Sequence, residues 1–223
     1  MEIVIVLGGP NTKEDIKTLL ENRYAKAYED FRFIGVDGGA LRLLDQHLPM
    51  EVAIGDFDSV TKEQRDLIHE AATTVVQLPC EKDDTDFEAA LLWVKEHYEG
   101  TPIHVLGSFG GRVDHAISTL WTMMRPDLAP LIPYVVFEDA TNVVNFIQPG
   151  TYTIEKMDFT KYLSFISMTP VENLTLQNVK YTLDSKSYAY PAALVSNEFT
   201  ADKMTISFTK GLILVAQTRD HWR

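Results

Sequence analysis

An apolar run meets two carboxylates in Val52-Ala53-Ile54-Gly55-Asp56-Phe57-Asp58-Ser59. Because side chains alternate between the two faces of extended chain, Asp56 and Asp58 are predicted to project together from the carboxyl end of a strand, with Phe57 turned inward. Two neighbouring carboxylates repel each other, and a proton or a bound cation relieves that repulsion. Oxygen ligands of this kind suit Mg²⁺, which proteins commonly bind through one or two carboxylates together with the phosphates of a substrate. The alternative is a solvated acidic turn, since Asp and Gly are common turn residues.

Short apolar strands alternate with helical patterns on both sides of this stretch. The predicted strands are 3–7, 31–36, 51–54, 74–78 and 103–106. The predicted helices include residues 16–20 and 41–44 and extend over 61–71, 86–98 and 112–124. Strands that alternate with helices form βαβ units and a parallel sheet that is covered on both faces. The first part of the chain is therefore predicted to be an α/β domain.

Four of these predicted strands end in Gly or Asp. The endings are Gly8-Gly9, Asp37-Gly38-Gly39, Gly55-Asp56-Phe57-Asp58 and Gly107. Ligands of open parallel sheets bind beyond the carboxyl ends of the strands, so a binding site is predicted where these endings meet. The chain has no P-loop signature, and no GxGxxG turn follows the first strand, which excludes those two kinds of nucleotide site.

A second acidic cluster is Glu81-Lys82-Asp83-Asp84-Thr85-Asp86-Phe87-Glu88. Thr85 and Glu88 have the spacing of a capping box, which places Asp86 in the first turn of a helix. A single acid there would complement the helix dipole, but three acids crowd this turn, at positions 83, 84 and 86. Residues 56–88 hold ten acidic residues against three Lys or Arg, so a bound cation is the favoured explanation.

A glycine-rich turn, Gly107-Ser108-Phe109-Gly110-Gly111-Arg112-Val113-Asp114-His115, follows the predicted strand at 103–106. Free N–H groups at a helix N-terminus form an anion site when glycines permit close approach. Arg112 adds a two-pronged donor for phosphate oxygens. Asp114 is a candidate for a ribose hydroxyl, and His115 for phosphate or for simple packing. The alternative is a tight turn with a solvated arginine.

The pattern changes after prolines at positions 126, 130 and 133. The short strands predicted beyond them are 134–137, 141–146, 150–154, 163–168, 174–177, 193–195, 204–208 and 212–216. Many short strands separated by turns are typical of an antiparallel sandwich. The predicted organisation is an N-terminal parallel-sheet α/β domain over residues 1–130, followed by a C-terminal antiparallel β-sandwich domain over 131–223. One polar cluster, residues 194–199, stands out in this half, and a turn at a strand end is its simpler explanation.

The composition narrows the class of protein further. The formal net charge of −12 over 223 residues argues against nucleic acid, whose phosphates would be repelled. The single cysteine, Cys80, excludes an internal disulfide and fits a reducing compartment. The first residues lack a basic segment, and their apolar run is too short for a signal peptide or a membrane span. A cytoplasmic protein that does not bind membranes is expected.

Five motifs in one order resemble those of the bacterial thiamin pyrophosphokinase family. They are DGGA at 37–40, GDFDS at 55–59, DDTDFE at 83–88, GGRVDH at 110–115 and SNEF at 196–199. The resemblance covers essentially the whole chain, including an α/β half followed by a β-rich half. No single motif is decisive, but five in register are highly specific.

The resemblance implies an enzyme that transfers pyrophosphate from ATP to the hydroxyl of thiamin, giving thiamin diphosphate and AMP. It implies a Mg²⁺ site at Asp56, Asp58 and Asp86, with Arg112 as a further catalytic residue. The ATP contacts it implies are Asp37, Gly38, Gly39, Lys82, Asp83, Gly110, Gly111, Arg112, Asp114 and His115. Ser196 and Asn197 are expected to bind thiamin, and a homodimer is expected, with the thiamin site between subunits.

Two alternatives to this function remain open from the sequence. One is an enzyme of the same pattern that pyrophosphorylates another hydroxymethyl heterocycle, such as a pterin, although the SNEF cluster argues for thiamin. The other is a nucleotide-sensing module that catalyses nothing. The three acidic positions argue against the second alternative, because a binding module need not hold a reactive metal.

Overall fold

The computed structural model describes residues 1–9, 15–81 and 83–220. The chain divides into two compact units, Met1–Ala140 and Thr141–Arg223. This division follows residue 140, whereas the sequence predicts a domain boundary after residue 130. Lys82, an expected ATP contact, lies outside the described residues.

The first unit is built on a parallel sheet. Its strands, within the described residues, are β1 (Glu2–Val6), β2 (Phe31–Val36), β3 (Met50–Gly55), β4 (Ala72–Gln77), β5 (Ile103–Leu106) and β6 (Val135–Glu138). They lie in the order β6-β5-β1-β2-β3-β4, and each neighbouring pair is parallel. Residues 3–6 of β1 are all fully buried, because both faces of a parallel sheet are covered. The predicted α/β class is confirmed.

Helices connect these strands. The described α-helices are α1 (Ile16–Tyr24), α2 (Gly38–Asp45), α3 (Lys62–Ala71), α4 (Asp86–His97) and α5 (Val113–Trp121). Both halves of the predicted capping box at Thr85 and Glu88 are present, so α4 begins at Asp86 as expected. After α5 the chain continues in 3₁₀ turns at Thr122–Met124 and Pro126–Tyr134. The prolines of the second turn lack the N–H groups that an α-helix requires.

Apolar side chains cover the sheet and hold the helices in place. Phe31 and Phe33 of β2 share one buried cluster with residues of α1, α2 and α3. Helix α4 packs against β2 and β3, and its buried side chains include Phe87, Leu91 and Val94, the predicted apolar stripe. Burying each of these three side chains contributes about 1.5–3 kcal/mol, so the position of Asp86 at the head of α4 is well anchored.

The four strand endings rich in Gly and Asp belong to β5, β1, β2 and β3, which are neighbours in the sheet. They therefore meet at one edge, as predicted. The backbone comes so close here that side chains are excluded at two positions. A Cβ at Gly39 would stand 1.8 Å from the carbonyl oxygen of Val6, and a Cβ at Gly9 would stand 2.0 Å from that of Gly107.

Strand β6 corrects the predicted organisation. The sequence assigns residues 134–137 to the antiparallel half, but Val135–Glu138 pair in parallel with β5 of the first unit. A short apolar run has the same appearance in either kind of sheet, so periodicity alone does not distinguish the two pairings.

The second unit is an antiparallel β-sandwich, which confirms this part of the predicted fold class. Its described strands are β7 (Asn142–Ile147), β8 (Gly150–Glu155), β9 (Tyr162–Ser167), β10 (Val171–Gln177), β11 (Leu183–Tyr188), β12 (Ala193–Asn197), β13 (Lys203–Phe208) and β14 (Ile213–Thr218). Within this unit they lie in the orders β12-β9-β14-β7 and β11-β10-β13-β8. Phe165 and Val215 from one layer join Leu174 and Ile206 from the other in a single apolar core.

Within the described ranges, no helix combines the length and the apolar character that crossing a bilayer requires.

Candidate active site

The turn after β3 carries Asp56 and Asp58 in a conformation that differs from the predicted extended chain. Phe57 is fully buried, as predicted, but its φ of 54° lies in the left-handed region. The backbone N–H of Asp58 donates a hydrogen bond to Oδ1 of Asp56 at 3.1 Å, which closes an Asx-type turn. The expected strand pleating was therefore wrong, and a local hydrogen bond relates the two acids instead.

Side chains from α3 and β4 hold this acidic turn. Nη2 of Arg65 donates to the carbonyl of Phe57, and Nε2 of Gln77 donates to the carbonyl of Asp56, each at 2.9 Å. Sequence reasoning missed both residues. The parallel register that pairs Gly55 with Gln77 would have placed Gln77 here, but that register is not visible in the sequence. The turn is thus fixed by the fold.

Asp37, at the start of α2, lies beside the acidic turn. The hydroxyl of Ser59 donates to its carboxylate oxygens at 3.1 and 3.3 Å. Burial raises the pKa of Asp37 above its ordinary value, and the negative charges of Asp86 and Asp56 raise it further, although hydrogen bonds from Gly38 and Ser59 act in the opposite direction. Acids from α2, α4 and the turn after β3 therefore lie within electrostatic reach of one another.

Arg125 neutralises part of the second acidic cluster. Its Nη1 lies 2.5 Å from Oδ1 of Asp84 and 3.4 Å from Oε1 of Glu88. Asp83 is exposed in the same turn, and Asp86 is half-buried. Asp84 is thus paired within the protein, so the surplus of acids predicted for this turn is smaller than the sequence indicates. Nothing in the sequence around Arg125 signals this contact.

The glycine-rich turn after β5 leads into α5, as predicted. Gly110 has a φ of 87°, which favours glycine. Arg112 occupies the N-cap position, and its Nε and Nη2 donate to the carboxylate of Asp114 at 3.2 and 2.6 Å. These hydrogen bonds hold the pKa of Asp114 below its usual range. Gly111 and His115 are exposed together with this pair, so the start of α5 is accessible to a ligand.

The polar cluster of the second unit lies on a β-bulge. The pairing of β12 with β9 shifts register between Leu194 and Asn197, and Ser196 has a φ of 60°. Ser196 is exposed, and its backbone N–H donates to Oγ of Ser164 at 3.2 Å. The bulge therefore turns the Ser196 hydroxyl toward solvent.

Asn197, in contrast, is buried. Its Oδ1 accepts hydrogen bonds from the N–H groups of Tyr181 and Glu198, and its Nδ2 donates to the carbonyl of Tyr181, each at 2.9 Å. The side chain thus holds the backbone at Tyr181, a structural role that the sequence does not predict. A cavity of about 300 Å³ adjoins it, lined by Leu176, Tyr181, Leu183, Ala193, Leu194, Val195 and Asn197.

These features define a class of protein. A parallel sheet whose edge combines glycine turns, clustered carboxylates and an exposed arginine fork is suited to phosphate compounds and cations. The β-sandwich unit contains a mostly apolar cavity. The class is an α/β enzyme of phosphoryl-type transfer with a second, β-sandwich unit.

Known proteins identify the family. Residues 26–133 match the thiamin pyrophosphokinase catalytic domain, and residues 151–213 match its vitamin B1 binding domain. The thiamine pyrophosphokinase of Bacillus subtilis is 33% identical over 220 residues, which cover 98% of this chain and 99% of that protein. The crystal structure of a thiamin pyrophosphokinase family protein from Enterococcus faecalis has a TM-score of 0.90 at 32% identity, covering 99% of this chain and 100% of that one. The crystal structure of thiamine pyrophosphokinase from Bacillus subtilis has a TM-score of 0.80 at 31% identity, with the same coverage.

The chain belongs to the thiamin pyrophosphokinase family. Its activity is the predicted one, the ATP-dependent transfer of pyrophosphate to thiamin that gives thiamin diphosphate and AMP. The pterin enzyme and the non-catalytic nucleotide sensor are therefore set aside.

Proposed function

We propose that this transfer depends on Mg²⁺ bound by Asp56, Asp58 and Asp86 at the glycine-lined edge of the parallel sheet. The observation that carries the proposal is the convergence of carboxylates from separate elements beside the strand ends. The negative charges of Asp86 and Asp56 both raise the pKa of Asp37. Such mutual repulsion is what a bound cation relieves.

The donor set fits Mg²⁺ that arrives with ATP. Within residues 1–9, 15–81 and 83–220, no three His, Cys, Asp or Glu side chains form a group ready to hold a metal. Mg²⁺ needs no such group, because it keeps several waters and binds through one or two carboxylates together with substrate phosphates. When bound, Mg²⁺ would stabilise the charge that builds on the β-phosphoryl group and on the departing AMP.

ATP is assigned to the same edge. Gly38, Gly110 and Gly111 leave room for phosphates to approach the N–H groups at the starts of α2 and α5, and Gly39 is a proposed contact through its backbone N–H. Arg112 would bind triphosphate oxygens through Nη1 and the second N–H of Nη2, while Asp114 holds Nε and the other N–H of Nη2. The remaining proposed contacts are Asp37, Lys82, Asp83, Asp114 and His115.

Thiamin is assigned to Ser196 and Asn197 in the second unit. The Ser196 hydroxyl, exposed on its bulge, can both donate and accept hydrogen bonds, as the aminopyrimidine requires. Asn197 would act mainly by holding Tyr181 beside the apolar cavity. The thiazolium ring is cationic, and the net charge of −12 favours its approach.

The proposed assembly is a homodimer with the thiamin site between subunits. Helix α5 supports it, because Val113, Ile117 and Trp121 are spaced four residues apart and are 49–72% exposed. An exposed apolar stripe of this kind marks an interaction surface. The use of ATP, together with the free thiol of Cys80, supports the proposed cytoplasmic location.

The test replaces each proposed metal ligand by Asn and measures AMP and thiamin diphosphate as Mg²⁺ is varied. Turnover should fall by orders of magnitude in Asp56→Asn, Asp58→Asn and Asp86→Asn, while circular dichroism shows an intact fold. Asp66→Asn, which changes an exposed acid of α3, is the matched control and should remain active. Near-normal turnover of the three variants at saturating Mg²⁺ would contradict the metal site.

A further inference from the structure

Arg125 lies between two 3₁₀ turns, in the segment that follows α5. Its backbone N–H donates to the carbonyl of Thr122 at 3.1 Å, and its carbonyl accepts from the N–H of Leu128 at 3.2 Å. The backbone from which the guanidinium group projects is therefore held on both sides.

The guanidinium group of Arg125 bridges two parts of the first unit. Its Nε and Nη2 donate to the two carboxylate oxygens of Asp127 at 3.1 and 2.8 Å. The third nitrogen, Nη1, contacts Asp84 at 2.5 Å and Glu88 at 3.4 Å. Because the group is planar and rigid, the two-pronged contact with Asp127 directs Nη1 at the acidic cluster.

Glu88 connects this contact to the start of α4. Its Oε2 accepts the N–H of Thr85 at 2.8 Å, while its own N–H donates to Oγ1 of Thr85 at 3.2 Å. Arg125 approaches the other oxygen of the same carboxylate. Asp84 and Glu88 precede and follow Asp86 by two residues, so Arg125 restrains the chain on both sides of Asp86.

From this geometry we propose that Arg125 is a positioning residue for Asp86. It fixes the first turn of α4 so that the Asp86 carboxylate faces the edge of the sheet, and it neutralises two neighbouring acids that would repel ATP. The role rests on the proposed function of Asp86 as a Mg²⁺ ligand. Residues that orient metal ligands commonly affect metal affinity or activity by 10- to 100-fold. Partly exposed ion pairs contribute little to stability, so the effect should fall on metal binding more than on folding.

The experiment compares Arg125→Met and Arg125→Lys with Arg32→Met as the control. Arg32 pairs with Glu51 near the amino ends of β2 and β3, away from the strand endings that form the site. Electron paramagnetic resonance measures Mn²⁺ binding in the presence of α,β-methylene ATP, whose α–β linkage is not cleaved. Arg125→Met should weaken Mn²⁺ binding roughly tenfold. Arg125→Lys, which keeps the charge without the fork, should recover part of the loss, and the control should bind as the wild type does.

Steady-state kinetics supply the second measurement. The Mg²⁺ concentration needed for half-maximal rate should rise in Arg125→Met, while kcat at saturating Mg²⁺ returns toward the wild-type value. A general loss of folding would lower kcat at every Mg²⁺ concentration and would not produce this combination of a raised Mg²⁺ requirement with a restored kcat. Should Arg125→Met fail to fold, Asp127→Asn removes the orienting carboxylate instead, and it should change Mn²⁺ binding in the same direction.

Asp86→Asn, measured alongside, separates this proposal from the one on which it rests. Loss of Mn²⁺ binding in Asp86→Asn together with wild-type binding in Arg125→Met would overturn the positioning role and leave the metal site standing. Normal Mn²⁺ binding in Asp86→Asn would overturn both. An equal loss in Arg32→Met would also overturn the positioning role.

Discussion

At the scale of single residues, burial and neighbouring negative charges disfavour the ionised form of Asp37. Asp37 has a raised pKa because it is partly buried and because Asp86 and Asp56 lie near it. Asn retains an acceptor for the Ser59 hydroxyl, and its side chain has the same size and branching as that of Asp. Asp37→Asn should therefore raise the melting temperature of the protein without ligands at neutral pH, while weakening ATP binding.

The sign of this effect follows from linkage. A group whose pKa is raised on folding contributes stability below its unfolded pKa, about 3.8 here, and that contribution is lost as pH rises through the folded pKa. The advantage of Asp37→Asn should thus be present at pH 7 and vanish below about pH 3.8. Thermal unfolding across this range measures it, with Asp66→Asn as the control of equal charge. A lower melting temperature for Asp37→Asn at pH 7 would show that the carboxylate is not repelled.

Arg112 provides a prediction about the chemical step. Its fork is already oriented by Asp114, and a lysine cannot reproduce two parallel donors. If the arginine contacts strengthen as charge develops during transfer, Arg112→Lys should lower kcat as well as kcat/KM, by roughly ten- to a hundredfold. Kinetics with varied ATP check this, and unchanged kinetics would return Arg112 to the role of a solvated turn residue.

The sequence predicts candidate site residues where the chemistry is local. Asp56, Asp86 and Arg112 follow strand ends or begin helices, and the structure gives the same positions at one sheet edge. Contacts between distant segments are different. Arg125 reaches Asp84 across 41 positions of sequence, and no local pattern encodes such a distance.

At the scale of secondary-structure elements, a buried polar network joins α1 to β5 and β6. Glu138 is fully buried and accepts hydrogen bonds from Nη1 of Arg23 at 2.6 Å and from the hydroxyl of Tyr24 at 2.9 Å. Nδ1 of His104 lies 2.9 Å from the same carboxylate. Arg23→Met leaves this charge buried with fewer partners, and it should lower the free energy of unfolding by about 3–5 kcal/mol. Urea unfolding measures it.

The control for this variant is Lys180→Met, which breaks an exposed pair with Glu198 and should change stability little. The network also predicts acid sensitivity. Burial alone would raise the pKa of Glu138, but His104 and Arg23 lower it below its ordinary value of 4.5. A depressed pKa contributes stability above the unfolded pKa, and this stability is lost as pH falls through the folded value. A wild-type protein that keeps its full stability well below pH 4.5 would contradict this account.

The elements that periodicity did not predict are those without a distinctive apolar pattern. Strand β11 has the sequence Leu-Asp-Ser-Lys-Ser-Tyr, and most of it is exposed at the edge of its sheet. Its pairing with β10, and not its side chains, makes it a strand. Strand β2, in contrast, is apolar and buried except at Arg32, and its predicted bounds are confirmed at both ends.

At the scale of the whole molecule, the proposed division of labour assigns phosphates to the first unit and thiamin to the second. Ser196→Ala should raise the KM for thiamin, while ATP binding measured without thiamin stays near the wild-type value. Ser196→Gly is a matched control, because glycine accepts the positive φ without strain and also lacks the hydroxyl. Similar increases of the KM for thiamin in both variants would show that the hydroxyl is responsible. An equal weakening of ATP binding would contradict the assignment of thiamin, and not ATP, to the second unit.

The last prediction concerns assembly and uses the apolar stripe of α5. Ile117 lies at the centre of this stripe, so Ile117→Glu should convert the proposed dimer into a monomer, as sedimentation velocity would show. Leu67→Glu is the matched control, since Leu67 is comparably exposed, at 55%, on α3. Because the thiamin site is proposed to lie between subunits, the activity of Ile117→Glu should be low at concentrations where the wild type is dimeric. A fully active monomer would contradict the proposal that the thiamin site lies between subunits, but not the proposed reaction. A dimer that persists in Ile117→Glu would show that α5 is not the interface.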